Sequence, residues 1–474
     1  MIRKKNKLVS IIIIMLMVGC VNSPKINVDS LDIEIPELWQ TEIPNSNDFT
    51  GEWWKVFGDD KLEKFILNFQ KSSPDLQSIF DNRNIAYQSS KINSAGIFPS
   101  FNGNVRVDTS VQNLTGFGEA GNNIFGGEPG EVISFGNSTA GLGLNFQWEL
   151  DIWGRILNGR KAAQKNYEAI DYDLSYLGFS SIIRATQLYF QAVEAYRQMM
   201  IAQESYLSLV EIRDLVKDRY ERGLKSSLDY RLAETSVLTS KVSMESRYLQ
   251  STNLNRKLKI LIGEYPNGDL ITKMSLPVSM PNINSIIPAQ LITRRPDIKS
   301  LFLKAEAEGL LLAQAKRNLL PGISLSGTVG TSAQKLKDIF NDDYGIWNVG
   351  AAMTAPIFSG GRLRAAAKLQ ESSQKISKKE LLKGLLDAFF EVEQLLELEK
   401  SLLLQQEAIQ SAVNQSMDAY NLSKERYDKG VTILESVLNT QRQYNNIRSQ
   451  YISLSRKRID NRLSLFLALG GDSN

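Results

Sequence analysis

The stretch that decides the fold occurs twice: RYERGLKSSLDY spans Arg219 to Tyr230, and RYDKGVTILESV spans Arg426 to Val437. Both copies interrupt long segments in which apolar residues recur every three or four positions, the period of an α-helix. Glycine tolerates the left-handed backbone that commonly ends a helix. We therefore expect Gly223 and Gly430 to mark the turns of two helical hairpins. The predicted turn residues are Arg219, Tyr220, Gly223, Arg426 and Gly430.

Other matched motifs extend this duplication over most of the chain. SPDLQ at 73–77 corresponds to RPDIK at 295–299, 222 positions later, and DIWGR at 151–155 corresponds to FSGGR at 358–362, 207 positions later. The spacing changes once, so the first copy carries 15 extra residues, in the region of the Gly/Asn-rich stretch at 116–131. Each copy reads helix, two strands, long helix, turn and returning helix. The strand-to-helix junctions fall at Gly154, Arg155, Gly361 and Arg362.

Lengths within each copy predict how the helices are arranged. The outgoing helix from Arg155 to Arg222 is much longer than the returning helix from Leu224 to Ile262. The difference is close to the length of the short helix predicted for 74–97, because every helical residue adds about 1.5 Å. We expect that short helix to stack end-on against the returning one, and the helix predicted for 296–320 to do the same in the second copy.

Four segments of about ten residues alternate between an apolar and a polar face, the pattern of a strand. In the first, Phe101, Val105 and Val107 share one face, and Asn102 and Asn104 share the other. Such segments are typical of a membrane β-barrel wall, although a half-buried sheet in a soluble protein remains an alternative. Four strands cannot close a barrel, and open sheet edges are not tolerated in hydrocarbon. Identical copies must then supply the missing strands; two would leave a filled interior and three a lumen.

The first twenty residues predict export and lipid attachment. Four cations within the first seven residues precede the apolar run from Leu8 to Val18, and Gly19 stands directly before Cys20. We interpret residues 1–19 as a lipoprotein signal peptide, because the apolar run is too short to span a bilayer. Cys20 is the only cysteine of the chain and resembles the acylated cysteine of a bacterial lipobox.

Composition excludes several kinds of function. The chain has no histidine and only one cysteine, at its N-terminus, so a histidine general base and the usual zinc ligands are excluded. Four of its 55 lysines and arginines lie in the signal, and the remainder nearly balances 52 acidic residues. This balance argues against nucleic-acid binding, which needs a basic patch. The sequence predicts no catalytic, cofactor or metal site.

Several motifs together resemble the outer-membrane efflux factors, and more narrowly their lipoprotein branch, the NodT-like and OprM-like relatives of TolC. The resemblance covers essentially all of the mature chain. Besides the lipobox and the two RYxxG turns, the motifs are WWKVFGD at 53–59, WELDIWGR at 148–155, RRPDI at 294–298 and IFSGGR at 357–362.

The resemblance implies an α+β membrane protein with an internal twofold repeat. In this family three chains, each giving four strands, form a twelve-stranded outer-membrane β-barrel that is continuous with a periplasmic α-helical barrel of long coiled-coil hairpins. It implies a Gram-negative exit duct, lipid-anchored through Cys20 and without any other cofactor. The implied partners are a periplasmic adaptor, an inner-membrane transporter of the RND type and outer-membrane lipid.

The resemblance also implies a periplasmic constriction near the hairpin tips. By position, Tyr427 matches the constriction tyrosine and Asp229 matches its acidic partner. Ser436 and Asn439 stand where TolC-like channels have acidic residues, while Glu435 lies one step earlier. Because Asn439 is not acidic, the resemblance does not imply an anionic ring there. Thr432 stands where TolC has a basic residue of its lock, so a salt-bridge lock is not implied either. The gate candidates are Asp229, Tyr427, Glu435, Ser436 and Asn439.

The predicted domains follow from the repeat. After the signal come an acylated segment and equatorial belt at 20–73, the first repeat at 74–263, an equatorial linker at 264–295 and the second repeat at 296–474. The predicted function is the outer-membrane channel of a tripartite efflux system for small molecules such as drugs. Three alternatives remain: a type I protein-secretion duct, a non-conducting envelope lipoprotein, and an enzyme that works with carboxylates.

Overall fold

The computed structural model describes residues 35–41, 52–113, 132–269, 272, 275–277, 280 and 287–471. The predicted signal, Cys20 and the Gly/Asn-rich stretch at 116–131 lie outside the described residues. The chain divides into two compact units. A sheet unit contains Tyr87–Tyr167 and Leu303–Lys378, and a helical unit contains Val28–Ala86, Glu168–Phe302 and Lys379–Asn474.

The secondary structure repeats as the sequence predicts. Helix α1 (Asp60–Ser72) precedes the first copy, and the short helix α5 (Pro288–Arg294) precedes the second. The first copy is α2 (Pro74–Ser94), β1 (Ser100–Asn113), β2 (Ser134–Leu150), α3 (Arg155–Glu221) and α4 (Ser227–Leu261). The second copy is α6 (Pro296–Arg317), β3 (Gly322–Ala333), β4 (Gly345–Thr354), α7 (Arg362–Asp428) and α8 (Leu434–Ala468). Helices α3 and α7 have 67 residues each, and α4 and α8 have 35 each.

The sheet unit contains a four-stranded antiparallel sheet in the order β1-β2-β3-β4. In this register the apolar residues of the four strands share one face of the sheet, and the polar residues share the other. One apolar row joins Leu144 to Val329 and Val329 to Trp347. The adjacent row is polar, and its members Asn102, Asn145, Thr328 and Asn348 are paired in sequence. The predicted alternation of faces is therefore confirmed. Strands β1 and β2 have 14 and 17 residues rather than about ten, because part of the extra length of the first copy extends them.

The apolar face of the sheet is open to its surroundings, as are both outer strands. Every residue of β4 is exposed, including Trp347 and Val349, and on β1 Val105 and Val107 are exposed. Within the described residues, β1 and β4 each pair along one edge only.

No helix in the described part of the chain is both long enough and apolar enough to cross a lipid bilayer.

The core of the helical unit is built on the WWKVFGD motif. Trp53, Trp54 and Phe57 are buried in one cluster with apolar side chains of α1, α3 and α8. Asp59 ends the motif and caps α1, since its Oδ1 accepts hydrogen bonds from the backbone N–H groups of Lys61 and Leu62, each at 3.0 Å. The hydroxyl of the buried Tyr189 donates a hydrogen bond to the other carboxylate oxygen of Asp59 at 2.9 Å. The motif therefore fixes both the start of α1 and its packing on α3.

In each copy the short helix begins where the returning helix ends. A Cβ atom on Gly263, just after α4, would lie 3.0 Å from the backbone oxygen of Ser72, next to the start of α2. A Cβ atom on Gly470, just after α8, would lie 3.3 Å from the backbone nitrogen of Arg295, next to the start of α6. The predicted end-on stacking is confirmed at both places.

Arg295 of the RRPDI motif ties this second junction together. Its buried guanidinium donates to both carboxylate oxygens of Asp297, at 3.1 and 2.8 Å, and to Glu391 on α7 at 2.7 Å. It also donates to the carbonyl of Ala468 at 3.1 Å, which caps the C-terminus of α8. Pairing with Asp297 and Glu391 raises the pKa of Arg295 despite its burial. One side chain therefore joins α6, α7 and α8.

Replacing Arg295 by Ala is expected to cost about 3–5 kcal/mol of unfolding free energy, because two carboxylates and a carbonyl lose their common donor. Lys in its place should recover little of that loss, since it lacks the planar fork that pairs with Asp297. The measurement is unfolding of the purified protein in detergent, followed by helical circular dichroism. A loss below about 0.5 kcal/mol, as for an ordinary surface change, would show that Arg295 does not hold the junction.

Candidate functional site: the tips of the two helical hairpins

The two hairpin turns have the same backbone geometry. Gly223 and Gly430 both have φ of +74°, in the left-handed region. The N–H of Gly223 bonds to the carbonyl of Tyr220 at 2.9 Å, and the next N–H bonds to that of Arg219 at 2.8 Å. The second turn repeats both bonds, from Gly430 to Tyr427 at 3.0 Å and from the next residue to Arg426 at 2.8 Å. This is the Schellman motif, so the glycines serve the turn predicted for them.

Tyr427 is the centre of a small core that joins the two hairpins. It is 2 % exposed and packs with Ile212 and Val216 of α3, with Ala233 of α4, and with Leu434 and Val437 of α8. Its hydroxyl oxygen is buried and has no hydrogen-bond partner among the described residues. Burial raises the pKa of Tyr427 even though Arg219 lies close enough to lower it. The phenol is therefore neutral at physiological pH.

Two cations of the first hairpin lie against the ring of Tyr427. The guanidinium carbon of Arg219 is 5.4 Å from the ring centroid, and Nζ of Lys225 is 5.0 Å from it. Cations at such distances are attracted by the electron-rich face of an aromatic ring. The attraction acts between hairpins, because Tyr427 belongs to the second and both cations belong to the first.

The equivalent tyrosine of the first hairpin has a different environment. Tyr220 is 41 % exposed and stacks on Tyr230 of its own hairpin, with centroids 5.7 Å apart and an interplanar angle of 5°. The residue 207 positions after Tyr230 is Val437, which cannot form such a stack. The duplicated motif thus gives one buried and one exposed tyrosine.

Asp229, predicted as the acidic partner of Tyr427, caps its own helix. It forms a capping box with Ser226 at the start of α4: the Asp229 N–H donates to the serine hydroxyl at 3.2 Å, and the Ser226 backbone N–H donates to the Asp229 carboxylate at 3.4 Å. Asp229 acts on Tyr427 only through its charge, which tends to raise the tyrosine pKa. In the second hairpin Ile433 holds the position of Ser226 and makes no side-chain cap.

The other predicted gate residues lie along the first turns of α8. Glu435 and Asn439 are exposed, and Ser436 is partly exposed. Asn439 accepts a hydrogen bond from Arg442 at 2.7 Å. The structure thus places these side chains at the tip, and the predicted gating role of each stays a prediction.

The predicted strand-to-helix junctions lie in the sheet unit. Gly154 and Gly361 both have positive φ. Arg155 pairs with Glu149 at 2.6 Å, and Arg362 begins α7. The sequence did not single out Asp151, whose carboxylate caps α3 by accepting from the N–H groups of Ile156 and Leu157 at 3.0 and 2.6 Å. The signal that could have identified Asp151 as a helix cap is an acidic residue shortly before the start of a predicted helix.

The tips offer packing and charge. Among the residues that the structure describes, no three Asp, Glu, His or Cys side chains come close enough together to hold a metal ion. The sequence also failed to identify Lys225 and Arg219 as ring contacts, because only the fold brings them to Tyr427.

A matched pair of glycine substitutions tests the tip turn. Gly430→Ala is expected to destabilise the turn by about 1–2 kcal/mol, the cost of a left-handed conformation for a residue with a Cβ. Gly178→Ala, inside α3 with open space around the new methyl group, is expected to stabilise its helix by up to about 1 kcal/mol. Amide hydrogen exchange of the helix amides near each site measures both effects. Effects of the same sign would contradict the assigned turn.

Substitutions of Tyr427 separate its ring from its hydroxyl. Tyr427→Phe is expected to change the free energy of unfolding by less than about 1 kcal/mol, because the buried hydroxyl makes no well-formed hydrogen bond and has only the Arg219 guanidinium close by. Tyr427→Ala is expected to cost about 3–5 kcal/mol, as other large aromatic side chains do in a core. Hydrogen exchange near both turns, which reports hairpin separation, is the measurement. If Tyr427→Phe is as damaging as Tyr427→Ala, the hydroxyl has a partner that this geometry does not contain.

Comparison with known proteins shows the family. Residues 66–264 and 287–471 match the family model described as outer membrane efflux protein. The chain is 26% identical over 446 residues to the pyoverdine export outer membrane protein OpmQ of Pseudomonas putida, covering 93% of each chain. It is 25% identical over 482 residues to the probable outer membrane lipoprotein SilC of Salmonella typhimurium, covering 98% of this chain and 99% of SilC.

A solved structure supports the same fold. The CmeC outer membrane channel of Campylobacter jejuni superposes with a TM-score of 0.83, at 24% identity and with 95% of each chain covered. The predicted fold class, efflux role and outer-membrane location are confirmed at the level of the family. The chain belongs to the outer membrane efflux protein family.

Proposed function

We propose that three copies of this chain form the exit duct of a tripartite efflux system that releases small molecules through the outer membrane. In this proposal each copy supplies four strands to a twelve-stranded barrel, and the hairpin tips form the periplasmic mouth. A lipid on Cys20 anchors each copy in the outer membrane. The chain itself binds no cofactor and catalyses no reaction.

The observation that carries this proposal is the open sheet. Strands β1 and β4 leave one edge each without a strand among the described residues, and the apolar face that they border is exposed. Edges of this kind are satisfied in a membrane only by further strands. The outer edge of β4 in one copy and that of β1 in the next are the two edges available for pairing. Repetition of this contact closes a ring.

The polar face of the sheet supports three copies rather than two. Asn104, Asn145 and Thr328 form a hydrogen-bonded row across β1, β2 and β3, with links of 2.8 and 2.9 Å. Such a row suits the wall of a water-filled lumen. Eight strands leave an interior only wide enough for side chains, whereas a larger barrel leaves a passage.

The name of one relative supports the proposed cargo. OpmQ is named for pyoverdine export, which favours a small-molecule cargo over a protein. We propose a periplasmic adaptor and an inner-membrane transporter of the RND type as the partners. A type I protein-secretion duct is the second candidate, and it differs in cargo rather than in fold.

Mass and conductance of the purified protein test the duct. In detergent we expect a particle with three times the protein mass of one chain, and in planar bilayers we expect discrete conducting steps. Deletion in the native host should raise sensitivity to small toxic compounds without blocking protein secretion. A monomer that does not conduct would reject the duct, and a secretion defect without altered drug sensitivity would favour the second candidate.

A charge substitution at the tip tests the proposed mouth. Three exposed copies of Glu435 near a common axis should attract cations. Glu435→Gln is expected to reduce the cation preference measured as a reversal potential in a salt gradient. Glu425→Gln is the control, because Glu425, in the last turn of α7, is an exposed acid already paired with Lys429. An unchanged reversal potential for Glu435→Gln would show that Glu435 does not lie at the mouth of the duct.

A further inference from the structure

The two strand pairs of the sheet, β1–β2 and β3–β4, have the same register. A residue of β1 has its counterpart in β3 222 positions later, and a residue of β2 has its counterpart in β4 207 positions later. Val105 lies opposite Leu142, and their counterparts Gly327 and Val349 also lie opposite each other. All ten pairs of β3 with β4 are counterparts of β1–β2 pairs in this way. The duplication of the sheet therefore holds residue by residue.

The contact between the two strand pairs also has a counterpart, and it lies between different copies of the chain. Within one chain, β2 of the first pair contacts β3 of the second. The counterpart of β2 is β4, and the counterpart of β3 is β1. Strands β4 and β1 are the outer strands of the sheet, and among the described residues each pairs along one edge only. The register of β2 with β3 therefore predicts how β4 of one copy meets β1 of the next.

We propose that neighbouring copies pair in the one register that places Met353 of β4 opposite Val105 of β1 in the next copy. This pair is the counterpart of Phe146 and Gly327, which lie opposite each other within the chain. The inference rests on the proposed duct, because a closed ring of copies is what brings these two outer edges together. It adds to the duct the residue-by-residue contact between copies.

The lengths of the two outer strands fit this register. All ten residues of β4 lie opposite residues 104–113 of the next copy, and Gly345 meets Asn113, so the two strands end together. A slip of one residue would turn the apolar side chains of β4 towards the polar face. A slip of two residues past Asn113 would leave the first two residues of β4 without partners in β1.

The apolar face gains matching neighbours in this register. Met353 and Val105, which would lie opposite each other, are both exposed in the single chain. Just beyond β4, Ile357 is 97 % exposed although it belongs to the junction that leads into α7. The last pair of β2 with β3 predicts that Ile357 lies opposite Phe101 of the next copy, and Phe101 is also exposed. The contact between copies therefore gives each of these apolar side chains an apolar neighbour.

The polar face gives an independent reason for the same register. Arg106 and Asp108 of β1 form an ion pair along their strand. In the proposed register Arg106 lies opposite Ala352 of the next copy, and Asp108 lies opposite Gly350. A slip of two residues in either direction would bring a larger polar side chain opposite one of the two charged residues. Of these three registers, only the proposed one gives both charged side chains a small neighbour and so leaves room for their ion pair.

Pairs of cysteines on the polar face test the register in the purified full-length protein. Asn104→Cys combined with Thr354→Cys joins residues that are directly opposite in the proposed register. Their Cα atoms should be about 4.5–5.5 Å apart, a distance that a disulfide spans. Asn102→Cys or Arg106→Cys, each combined with Thr354→Cys, joins diagonal neighbours about 7–8 Å apart, which is too far for a disulfide. We expect oxidation to link copies through the first combination and not through the other two.

Gln147→Cys combined with Ser326→Cys is the matched control, because these residues are the counterpart pair within one chain. The same oxidation should form their disulfide without linking copies. The single variant Thr354→Cys controls for disulfides that involve Cys20. Stronger linking through Asn102→Cys or Arg106→Cys would overturn the proposed register. So would the absence of linking in all three combinations while the control pair forms its disulfide.

Particle mass and conductance separate this inference from the proposed duct. A conducting particle of three copies that links through one of the diagonal pairs, or through none, keeps the duct and rejects the register. A protein that remains a single chain and does not conduct rejects the duct, and the proposed register is then rejected with it.

Discussion

The structure depends on unsatisfied backbone hydrogen-bonding groups at the two outer edges of one four-stranded sheet. Strands β1 and β4 pair inward only in the described chain, and the face between them is apolar and exposed, with Trp347 and Val349 among its side chains. Lipid can cover that face, but it cannot bond to an open strand edge. The sheet is therefore complete only with copies of itself. The helices of those copies must then follow the same symmetry as the paired sheets.

The duplication itself is not symmetric in chemistry, and its asymmetry lies at the tips. The same Arg-Tyr-x-x-Gly turn gives a buried Tyr427 and an exposed Tyr220. The first hairpin has a capping box at Ser226 and contributes the cations, whereas the second contributes the ring that they contact. Two hairpins with different roles can separate without losing their own turns, because each turn is held by backbone bonds within its hairpin.

Much of this fold could be predicted because the sequence is duplicated. Matching glycines of the two copies are always 207 positions apart, which predicted hairpin helices of equal length in the two copies. The alternation of apolar and polar residues along β1 predicted the two faces of the sheet. Partners that are distant in sequence could not be predicted. Neither the contact of Lys225 with Tyr427 nor the bond from Arg295 to Ala468 leaves a periodic signal. The capping role of Asp229 could not be predicted for a related reason, since an acid near a turn suits both a gate and a helix cap. The structure shows its capping box, and its gating role stays a prediction.

The most direct test of the account is a cross-link between the two outer strands. A cysteine at Val349 of β4 is combined with single cysteines placed in turn along β1, and the assembled protein is oxidised in the membrane. The account predicts disulfides between different copies at one register, giving a covalently linked trimer on a denaturing gel. Disulfides confined to single chains, or none at any position of β1, would contradict the completion of the sheet by neighbouring copies.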